Sequence, residues 1–446
     1  MVMDRRQFIK WGTVLGLGPI AHPVFARKNI LRRGGELELL NTARNCIFVN
    51  LLGAPSQMDT FDYKTGSWTL PETESVNLNS GAAWPVSFMP NLLSVQDKFS
   101  LVRSLYTTVV NHQRAQYRVE TAHPFVAAKV LQEEIPPLGT LFSLELDRQR
   151  ASTDIYPSFV SLDYRPKGTG MVDNRFAAFT LSGSLGRETF EHPAGKGVLN
   201  KRLDLLNHMD PRKSAGTSED PSSVSYLWEQ ASLLMSDDRV VQALDLDEET
   251  KTRYGGNYGI GKTLAQAYQL LAQDAGARFI SIGDDGWDHH ASIKWGIPSK
   301  TRSLDLGLSA LINDLSTTPG SQAGKSLLDE TLIIVTGEFG RTPGDLNASG
   351  GRDHHGGAYA ALLAGGGVQG GRFLGETDSI GDQIIDNGWS HNRALSTSDL
   401  AATALSALGI QPNTRIEDTP SGRPFYYTSS ETWMNTDPTH ILELFQ

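Results

Sequence analysis

Short apolar runs bounded by turn residues are the dominant pattern along this chain. Runs of this length without polar alternation are typical of strands that are buried on both faces of a sheet. We therefore predict six strands, at residues 46–52, 100–105, 159–162, 278–282, 331–336 and 360–364.

Helical spacing fills several of the intervals between these runs. Apolar residues recur at i, i+3, i+4 and i+7 in 224–235, 264–271 and 304–315, and the apolar stretch 399–408 ends at Gly409. Gly276 follows the second of these faces as a helix stop. The order of helices and strands over 260–336 is that of crossovers on a parallel sheet with helices on both faces. The predicted fold class is therefore α/β, with a mostly parallel central sheet.

The N-terminus has the pattern of a twin-arginine signal peptide. Arg5 and Arg6 precede an apolar stretch at 11–20 that only Thr13 interrupts, and Val24 and Ala26 suit a cleavage site. The stretch is too short for a stable membrane span, although a short uncleaved anchor is the alternative. We expect residues 1–26 to be removed and residues 27–446 to form one domain. The twin-arginine export machinery would then be a partner, and the location periplasmic or secreted.

Composition narrows the class of protein. The 446 residues are 39% hydrophobic and 20% charged, which is typical of a globular domain, and the net charge is −10. Because no Lys/Arg-rich run follows the signal peptide and its junction, we expect no binding of nucleic acid through its phosphates. The one cysteine, Cys46, lies in an apolar run, and we assign it no chemical role.

Acids and imidazoles follow three of the predicted strands, where the carboxyl ends of parallel strands place ligands. Grouped carboxylates repel one another unless a cation neutralises them, and mixed Asp, Glu and His ligands suit Zn, Mn, Fe, Ca or Mg. A divalent metal site is therefore predicted. The alternative is a set of salt bridges to Arg302, Arg341 and Arg352. The residues in question are Asp59 and Asp62 after the first run, Asp288-His289-His290 after the fourth, and Glu338, Arg341, Asp353 and His354 after the fifth.

The motifs around these residues resemble those of the domain-of-unknown-function 1501 family, which consists of twin-arginine-exported bacterial proteins. The family is itself similar to the alkaline phosphatase and sulfatase superfamily. The resemblance implies a parallel sheet between helix layers, with metals at the strand ends. The matching motifs are the turn Gly53 to Asp62 that ends Asp-Thr-Phe-Asp, Gly286-Trp287-Asp288-His289, Gly337-Glu338-Phe339-Gly340-Arg341-Thr342, Gly351-Arg352-Asp353-His354 and the glycine-rich run from Ala361 to Gly371.

The resemblance also implies a role for each matching residue. Either Asp59 or Asp62 would be the first metal aspartate. Asp288 and His289 would be the middle ligands, Glu338 the later acid, and His354, with Asp353 beside it, the final histidine.

The chain departs from the superfamily pattern at two places. Sulfatases and phosphatases carry a Ser, Thr or Cys nucleophile, and its nearest counterpart here, Asn111-His112-Gln113-Arg114, has no hydroxyl or thiol. Thr107, Thr108 and Ser56 are the candidate substitutes. Glu338-Phe339 stands where the superfamily commonly has Asp-His, which favours one metal ion over two.

These residues lead to a metal-dependent hydrolase of sulfate or phosphate esters, with a polysaccharide as one candidate substrate. Water would attack the ester directly, His112 or His354 would move protons, and Arg341 would stabilise the developing anion. A salt bridge to Glu338 or Asp345 is the alternative role for Arg341.

Two other functions stay open. A non-catalytic superfamily member that binds a carbohydrate or an exported protein is favoured by the missing nucleophile. An isomerase or mutase rests on fold analogy alone.

Overall fold

The computed structural model describes residues 30–32, 37–182, 195–209, 230–235, 237–256 and 259–446. The predicted signal peptide lies outside the described residues, as does the first half of the helix predicted at 224–235. None of the helices within these ranges combines the length and the apolar character that a membrane crossing requires.

Eight strands of the described chain form the central sheet, in the order β8-β2-β7-β6-β1-β5-β3-β4. Seven of them run parallel to one another, and β7 is antiparallel to both of its neighbours, β2 and β6. The predicted α/β fold with a mostly parallel sheet is confirmed, and all six predicted strands are present. The strands are β1 Asn45–Leu51, β2 Phe99–Leu105, β3 Phe159–Leu162, β4 Phe179–Leu181, β5 Phe279–Asp284, β6 Thr331–Thr336, β7 Tyr359–Ala364 and β8 Arg372–Leu374.

Helices cover both faces of this sheet, because successive side chains of a strand point to opposite sides. On β1, Ile47, Val49 and Leu51 belong to one hydrophobic cluster, while Cys46 and Phe48 belong to another. The helices are α1 His112–Thr121, α2 Leu138–Leu146, α3 Ile260–Ala272, α4 Ile293–Thr317 and α5 Thr397–Ala407. Helices α3 and α4 supply the first cluster, and α1, α2 and α5 supply the second. The full burial of every β1 residue explains the unbroken apolar run in the sequence.

Shorter elements complete the described chain. Short α-helices are Pro90–Leu93, Lys129–Glu134, Asp238–Leu244 and Glu248–Arg253, with a longer one at Lys196–Met209. The 3-10 turns are Gln57–Asp59, Gln96–Lys98, Asp147–Gln149, Asn174–Phe176 and Leu442–Leu444. The short strands are Ile30–Arg32, Val76–Asn77, Ala83–Trp84, Gly340–Arg341, His354–His355, Glu376–Thr377, Ile384–Asp386, Thr414–Ile416 and Phe425–Tyr426.

The strand directions gather the predicted strand-end segments at one edge of the sheet. The carboxyl ends of β1, β2, β5 and β6 meet there, together with the amino end of the antiparallel strand β7. The connection from β6 to β7, residues 337–358, therefore begins and ends at this edge. Within it, Gly340–Arg341 pairs with His354–His355 in a short antiparallel ladder that places Arg341 opposite His354.

Candidate metal centre

Four side chains from three segments converge at this edge of the sheet. One donor atom from each of His112, Asp288, His290 and His354 lies within 4.8 Å of the other three. His112 is the first residue of α1, whose N-cap, Asn111, accepts a hydrogen bond from the Arg114 N–H. Asp288 and His290 follow β5, and His354 precedes β7. These four residues are named the histidine cluster below.

Each imidazole of the histidine cluster has its Nδ1 atom held by an oxygen acceptor. Nδ1 of His112 lies 2.7 Å from the Glu338 carboxylate, and Nδ1 of His290 lies 2.7 Å from the Asp353 carboxylate. Nδ1 of His354 lies 2.7 Å from the Val110 carbonyl oxygen. A carbonyl or carboxylate oxygen can only accept, so in a neutral ring the proton is on Nδ1 and the lone pair is on Nε2. This arrangement is the one that metal-ligating histidines have.

The Nε2 atoms of this cluster lie too close together to be left without a cation or a proton. Nε2 of His290 is 3.0 Å from Nε2 of His354 and 3.1 Å from Oδ1 of Asp288. Nε2 of His112 is buried, has no hydrogen-bond partner and lies 3.4 Å from Oδ2 of Asp288. A proton could join only two of these atoms, whereas one metal ion could contact all four. Arg341 already provides a positive charge at one side, with Nη1 3.4 Å from Nε2 of His290. Two nitrogens bound to one zinc ion lie roughly 3.3 Å apart, close to the spacing seen here.

The donors of the histidine cluster also fit a metal that prefers nitrogen. Three imidazoles and one carboxylate suit Zn, Cu, Fe or Ni, whereas Mg and Ca prefer shells built from oxygen. The side chains of Asp288 and His290 are 43% and 45% exposed, so the cluster is open to solvent on one side. It can therefore hold an ion and leave a position beside that ion open to another molecule.

Arg341 keeps Asp288 ionised. Burial raises the pKa of Asp288, but the hydrogen bond and charge of Arg341, with the charges of His112 and His290, outweigh it and lower the pKa below its usual value. Arg341 is itself fully buried, and it donates to Asp288 and to the carbonyl oxygens of Gly53, Ala54 and Arg352, with Nη1 also 3.4 Å from Nε2 of His290. Its guanidinium is therefore engaged inside the protein.

Two imidazoles of the histidine cluster and the neighbouring Asp353 have pKa values that their surroundings shift in different ways. The hydrogen bond that His112 donates to Glu338 raises the pKa of His112 above its ordinary value. Burial lowers the pKa of His354. The hydrogen bond from His290 lowers the pKa of Asp353, which keeps that carboxylate negative. The imidazole tied to Glu338 therefore takes up a proton more readily than the one tied to a carbonyl oxygen.

Glu338 lies beneath the histidine cluster and holds a tight turn. Its two carboxylate oxygens accept from the backbone N–H groups of Gly53 and Ala54, each at 3.1 Å. Both residues have left-handed backbone conformations, with φ of 102° and 60°. For Ala54 this conformation costs roughly 1–2 kcal/mol, because its Cβ approaches the following carbonyl. Glu338 and Arg341 together bond the N–H and C=O groups of this turn and offset that strain.

The first predicted metal aspartate lies outside the histidine cluster, whichever of the two candidates is considered. Oδ2 of Asp59 is 2.7 Å from Nε of Arg352 and 2.6 Å from the Ser56 hydroxyl, in a fully buried pair. Asp62 is buried against Lys64 and Arg103, each 3.4 Å away. Burial raises the pKa of Asp62, although these cations and a hydrogen bond from Thr377 counteract it. Asp59 therefore forms a salt bridge with Arg352, which is the alternative to a metal site given in the sequence analysis.

The other predicted ligands divide into members and neighbours of the histidine cluster. Asp288 and His354 are members, together with His112, which was predicted as a proton carrier. Glu338 and Asp353 lie one contact further out, because each holds the Nδ1 atom of a clustered imidazole. His289 lies outside, with its half-buried ring packed against Gly296 of α4.

His290 is the member that the sequence-based ligand set lacks. It directly follows His289 in the Asp288-His289-His290 run, so the signal for a histidine ligand after β5 was present. The resemblance selected the first of the two histidines, and the backbone beyond β5 turns the second one into the cluster. The Asp353 carboxylate, four residues before Gly357 on the connection from β6 to β7, holds its ring in place.

The candidate substitutes for a nucleophile are engaged in local turns where the structure gives them a partner. The Ser56 hydroxyl donates to Asp59, and the Thr107 hydroxyl accepts from the Val109 N–H. Both bonds are of the kind that serine and threonine make in turns. These two hydroxyls therefore stabilise turns, and the histidine cluster is the group of described side chains at this edge that could hold a metal ion.

Comparisons with known proteins bear on the family. The family model described as "Protein of unknown function (DUF1501)" matches residues 43–435, as the motifs predicted. No match to the chain occurs among curated proteins.

Several solved structures are similar at low sequence identity. An alkaline phosphatase superfamily protein from Vibrio parahaemolyticus is 10% identical with a TM-score of 0.41, over 92% of this chain and 77% of that chain. The lipoteichoic acid synthase LtaP from Listeria monocytogenes is 10% identical with a TM-score of 0.39, over 94% and 80%. Ps i-CgsB in complex with k-i-k-neocarrahexaose is 10% identical with a TM-score of 0.40, over 83% and 72%.

Proposed function

The chain belongs to the DUF1501 family, and we propose that it is an exported, metal-dependent hydrolase of sulfate or phosphate esters. The observation that carries this proposal is the convergence of three Nε2 lone pairs and one carboxylate at the open edge of the sheet. Structural metal sites are closed, whereas a catalytic site keeps a position open, and the exposure of Asp288 and His290 favours the second kind.

His112, Asp288, His290 and His354 would hold the ion in this proposal. When bound, such an ion supplies Lewis-acid activation of water and polarisation of an ester oxygen. Arg341 keeps Asp288 ionised and holds the Gly53–Ala54 turn. Since Arg341 is buried and engaged with backbone carbonyls, we propose this role for it in place of direct contact with the substrate anion. Zinc is the first metal to test, because nitrogen donors predominate.

A second candidate function is a non-catalytic protein that binds a carbohydrate or an exported partner. The buried pair of Asp59 and Arg352 favours it, because that aspartate is committed to an arginine. Export through the twin-arginine pathway, and with it a periplasmic or secreted location, belongs to both proposals and rests on residues 1–26.

The deciding experiment measures the metal content of folded protein that begins at residue 27, beside an Asp288→Ala, His354→Ala double variant. We expect about one ion per chain in the first protein and none in the second. Aryl sulfate, aryl phosphate monoester and diester, and a sulfated oligosaccharide are then offered to both proteins with added zinc or with chelator. Hydrolysis by the zinc-loaded protein alone supports the hydrolase. A bound ion without hydrolysis supports the binding protein, and the absence of metal in both proteins contradicts the metal centre.

A further inference from the structure

Four donors from two segments of the chain contact the Glu338 carboxylate beside the histidine cluster. Oε1 accepts hydrogen bonds from the Gly53 N–H at 3.1 Å, from Nδ1 of His112 at 2.7 Å and from the Gln116 side-chain amide at 3.3 Å. Oε2 accepts a hydrogen bond from the Ala54 N–H at 3.1 Å. The side chain is fully buried, and its oxygens are not among the converging donor atoms. Oε1, the oxygen in contact with His112, would have to give up donors before it could bind a metal ion.

His112 lies between two carboxylates that compete for its one ring proton. Glu338 is 2.7 Å from Nδ1, and Asp288 is 3.4 Å from Nε2. In the neutral ring the nearer carboxylate keeps the proton on Nδ1, which leaves the Nε2 lone pair directed at Asp288 and the other imidazoles. Without the charge of Glu338, the Asp288 carboxylate would draw the proton to Nε2, and a protonated Nε2 cannot bind a metal.

The same carboxylate also fixes the backbone behind Asp288. The Gly53–Ala54 turn presents two successive N–H groups to Glu338, an arrangement that binds anions. A Cβ on Gly53 would lie 2.5 Å from the Asp288 backbone nitrogen, so the turn and the Asp288 backbone are in direct contact. A shift of the turn therefore moves Asp288 as well as releasing His112.

We infer that Glu338 is a positioning residue that selects the metal-binding tautomer of His112 and fixes the turn behind Asp288, and is not itself a metal ligand. This inference rests on the proposed metal centre for its functional meaning. The placement of the His112 proton, however, is a property of the metal-free protein and is measured there.

Glu330 is the matched control for Glu338. It is equally buried, and its carboxylate also accepts from two successive backbone N–H groups, those of Ser321 and Gln322, at 2.8 and 2.7 Å. It directly precedes β6, at the sheet edge opposite the histidine cluster. Glu330→Gln therefore reproduces the loss of a buried carboxylate without touching His112.

The test combines histidine tautomers with zinc affinity. The ring nitrogens of ¹⁵N-histidine-labelled, metal-free protein are recorded by long-range proton–nitrogen NMR at a pH where the rings are neutral, and His112→Ala identifies the signal. We expect an Nδ1–H tautomer for His112 in the wild type and in Glu330→Gln, and an Nε2–H tautomer in Glu338→Gln. Zinc affinity should fall about 10- to 100-fold in Glu338→Gln and stay unchanged in Glu330→Gln.

The outcomes separate this inference from the proposed function. A wild-type tautomer and zinc affinity in Glu338→Gln would overturn the inference and leave the metal-dependent hydrolase untouched. An Nε2–H tautomer of His112 in the wild-type protein would overturn it without any variant. If the wild type binds no metal but Glu338→Gln shows the expected change of the His112 tautomer, the hydrolase proposal fails while the control of His112 by Glu338 stands.

Discussion

Asp288 and Asp59 follow neighbouring strands of the sheet, and each meets an arginine from the connection between β6 and β7, yet their surroundings are opposite. Asp59 is 4% exposed, and Arg352 and Ser56 both contact its Oδ2 atom. Asp288 is 43% exposed, with Arg341 at one oxygen and an imidazole at the other. An acid that is buried with its own cation stabilises the fold, whereas a half-exposed acid among imidazoles can hold an ion.

The energies of the two pairs should differ accordingly. Breaking a buried ion pair by removing one partner leaves a charge without compensation in a region of low dielectric. In the pair of Asp288 and Arg341 only the carboxylate is half-exposed and the guanidinium is buried, so water screens this pair in part and its loss should cost less. The comparison therefore predicts that Asp59 matters for unfolding and Asp288 for metal binding, and the predictions below test that division.

The largest effect is expected for Asp59→Ala. Arg352 is completely buried and would lose its carboxylate, so the free energy of unfolding should fall by about 3–5 kcal/mol in urea titrations. The zinc content of the folded fraction should be unchanged. Ser56→Ala, which removes only the hydroxyl on the same carboxylate, is the control and should cost about 1 kcal/mol. Loss of zinc from Asp59→Ala with unchanged stability would show that Asp59 is a metal ligand and would contradict the comparison with Asp288.

The next effect is the stabilisation of the folded protein by zinc. At a free zinc concentration 100 times Kd, the wild type should gain about 2.7 kcal/mol, seen as a higher Tm in calorimetry. The Asp288→Ala, His354→Ala variant should show no such gain. Its metal-free stability should fall by about 1–3 kcal/mol, less than for Asp59→Ala, because the buried Arg341 loses a carboxylate that water partly screens and keeps three backbone carbonyl acceptors. An equal gain in both proteins would mean that zinc binds elsewhere.

A smaller effect is expected for Asp353→Asn. The Asp353 side chain is 58% exposed and holds Nδ1 of His290, so its loss should weaken zinc binding by roughly tenfold in competition with a chelating dye. Asp345→Asn is the matched control, because Asp345 lies on the same connection and accepts a hydrogen bond from Ser67 in place of an imidazole. Equal zinc affinities of the two variants would show that net charge, and not the bond to His290, is responsible.

The smallest effect concerns pH. Glu338 raises the pKa of His112 and burial lowers that of His354, so as the pH falls a proton competes with zinc at His112 first. Between pH 8 and pH 7 we expect zinc affinity to fall by a few-fold, less than the roughly tenfold that full competition by one proton would give. His112→Ala should bind more weakly at pH 8 and lose part of this dependence. An affinity that is independent of pH over this interval would contradict the assignment of imidazole ligands.

The fold could be predicted from the sequence where a buried strand is an unbroken apolar run or a buried helix face has regular apolar spacing. β3 and β6 have their predicted bounds, and the other four predicted strands differ from theirs by one or two residues. β4 and β8 were not predicted, because each has only three residues and carries too short a pattern. The direction of β7 was not predicted either, since the apolar run is the same for both directions.

The candidate site could be predicted only in part, because the orientation of each side chain depends on contacts between segments that are distant in sequence. The strand-end rule found Asp288 and His354. It could not separate His289 from His290, because neighbouring side chains point in different directions. The partners of Asp59 and Glu338, which are Arg352 and the Gly53–Ala54 turn, lie almost 300 residues away in sequence. The signal peptide and the single-domain organisation stay predictions.

The connection from β6 to β7 gives the molecule a further property. Both of its ends are anchored at the same edge, because β6 and β7 are adjacent and antiparallel. This one segment carries Glu338, Arg341, Arg352, Asp353 and His354. This connection could therefore be exchanged as a unit. Replacing residues 337–358 with the corresponding segment of another family member would change most of the charged groups around the site and leave the pairing of β6 with β7 intact. Under the proposed hydrolase function, laboratory evolution toward new substrates would best begin by diversifying that segment.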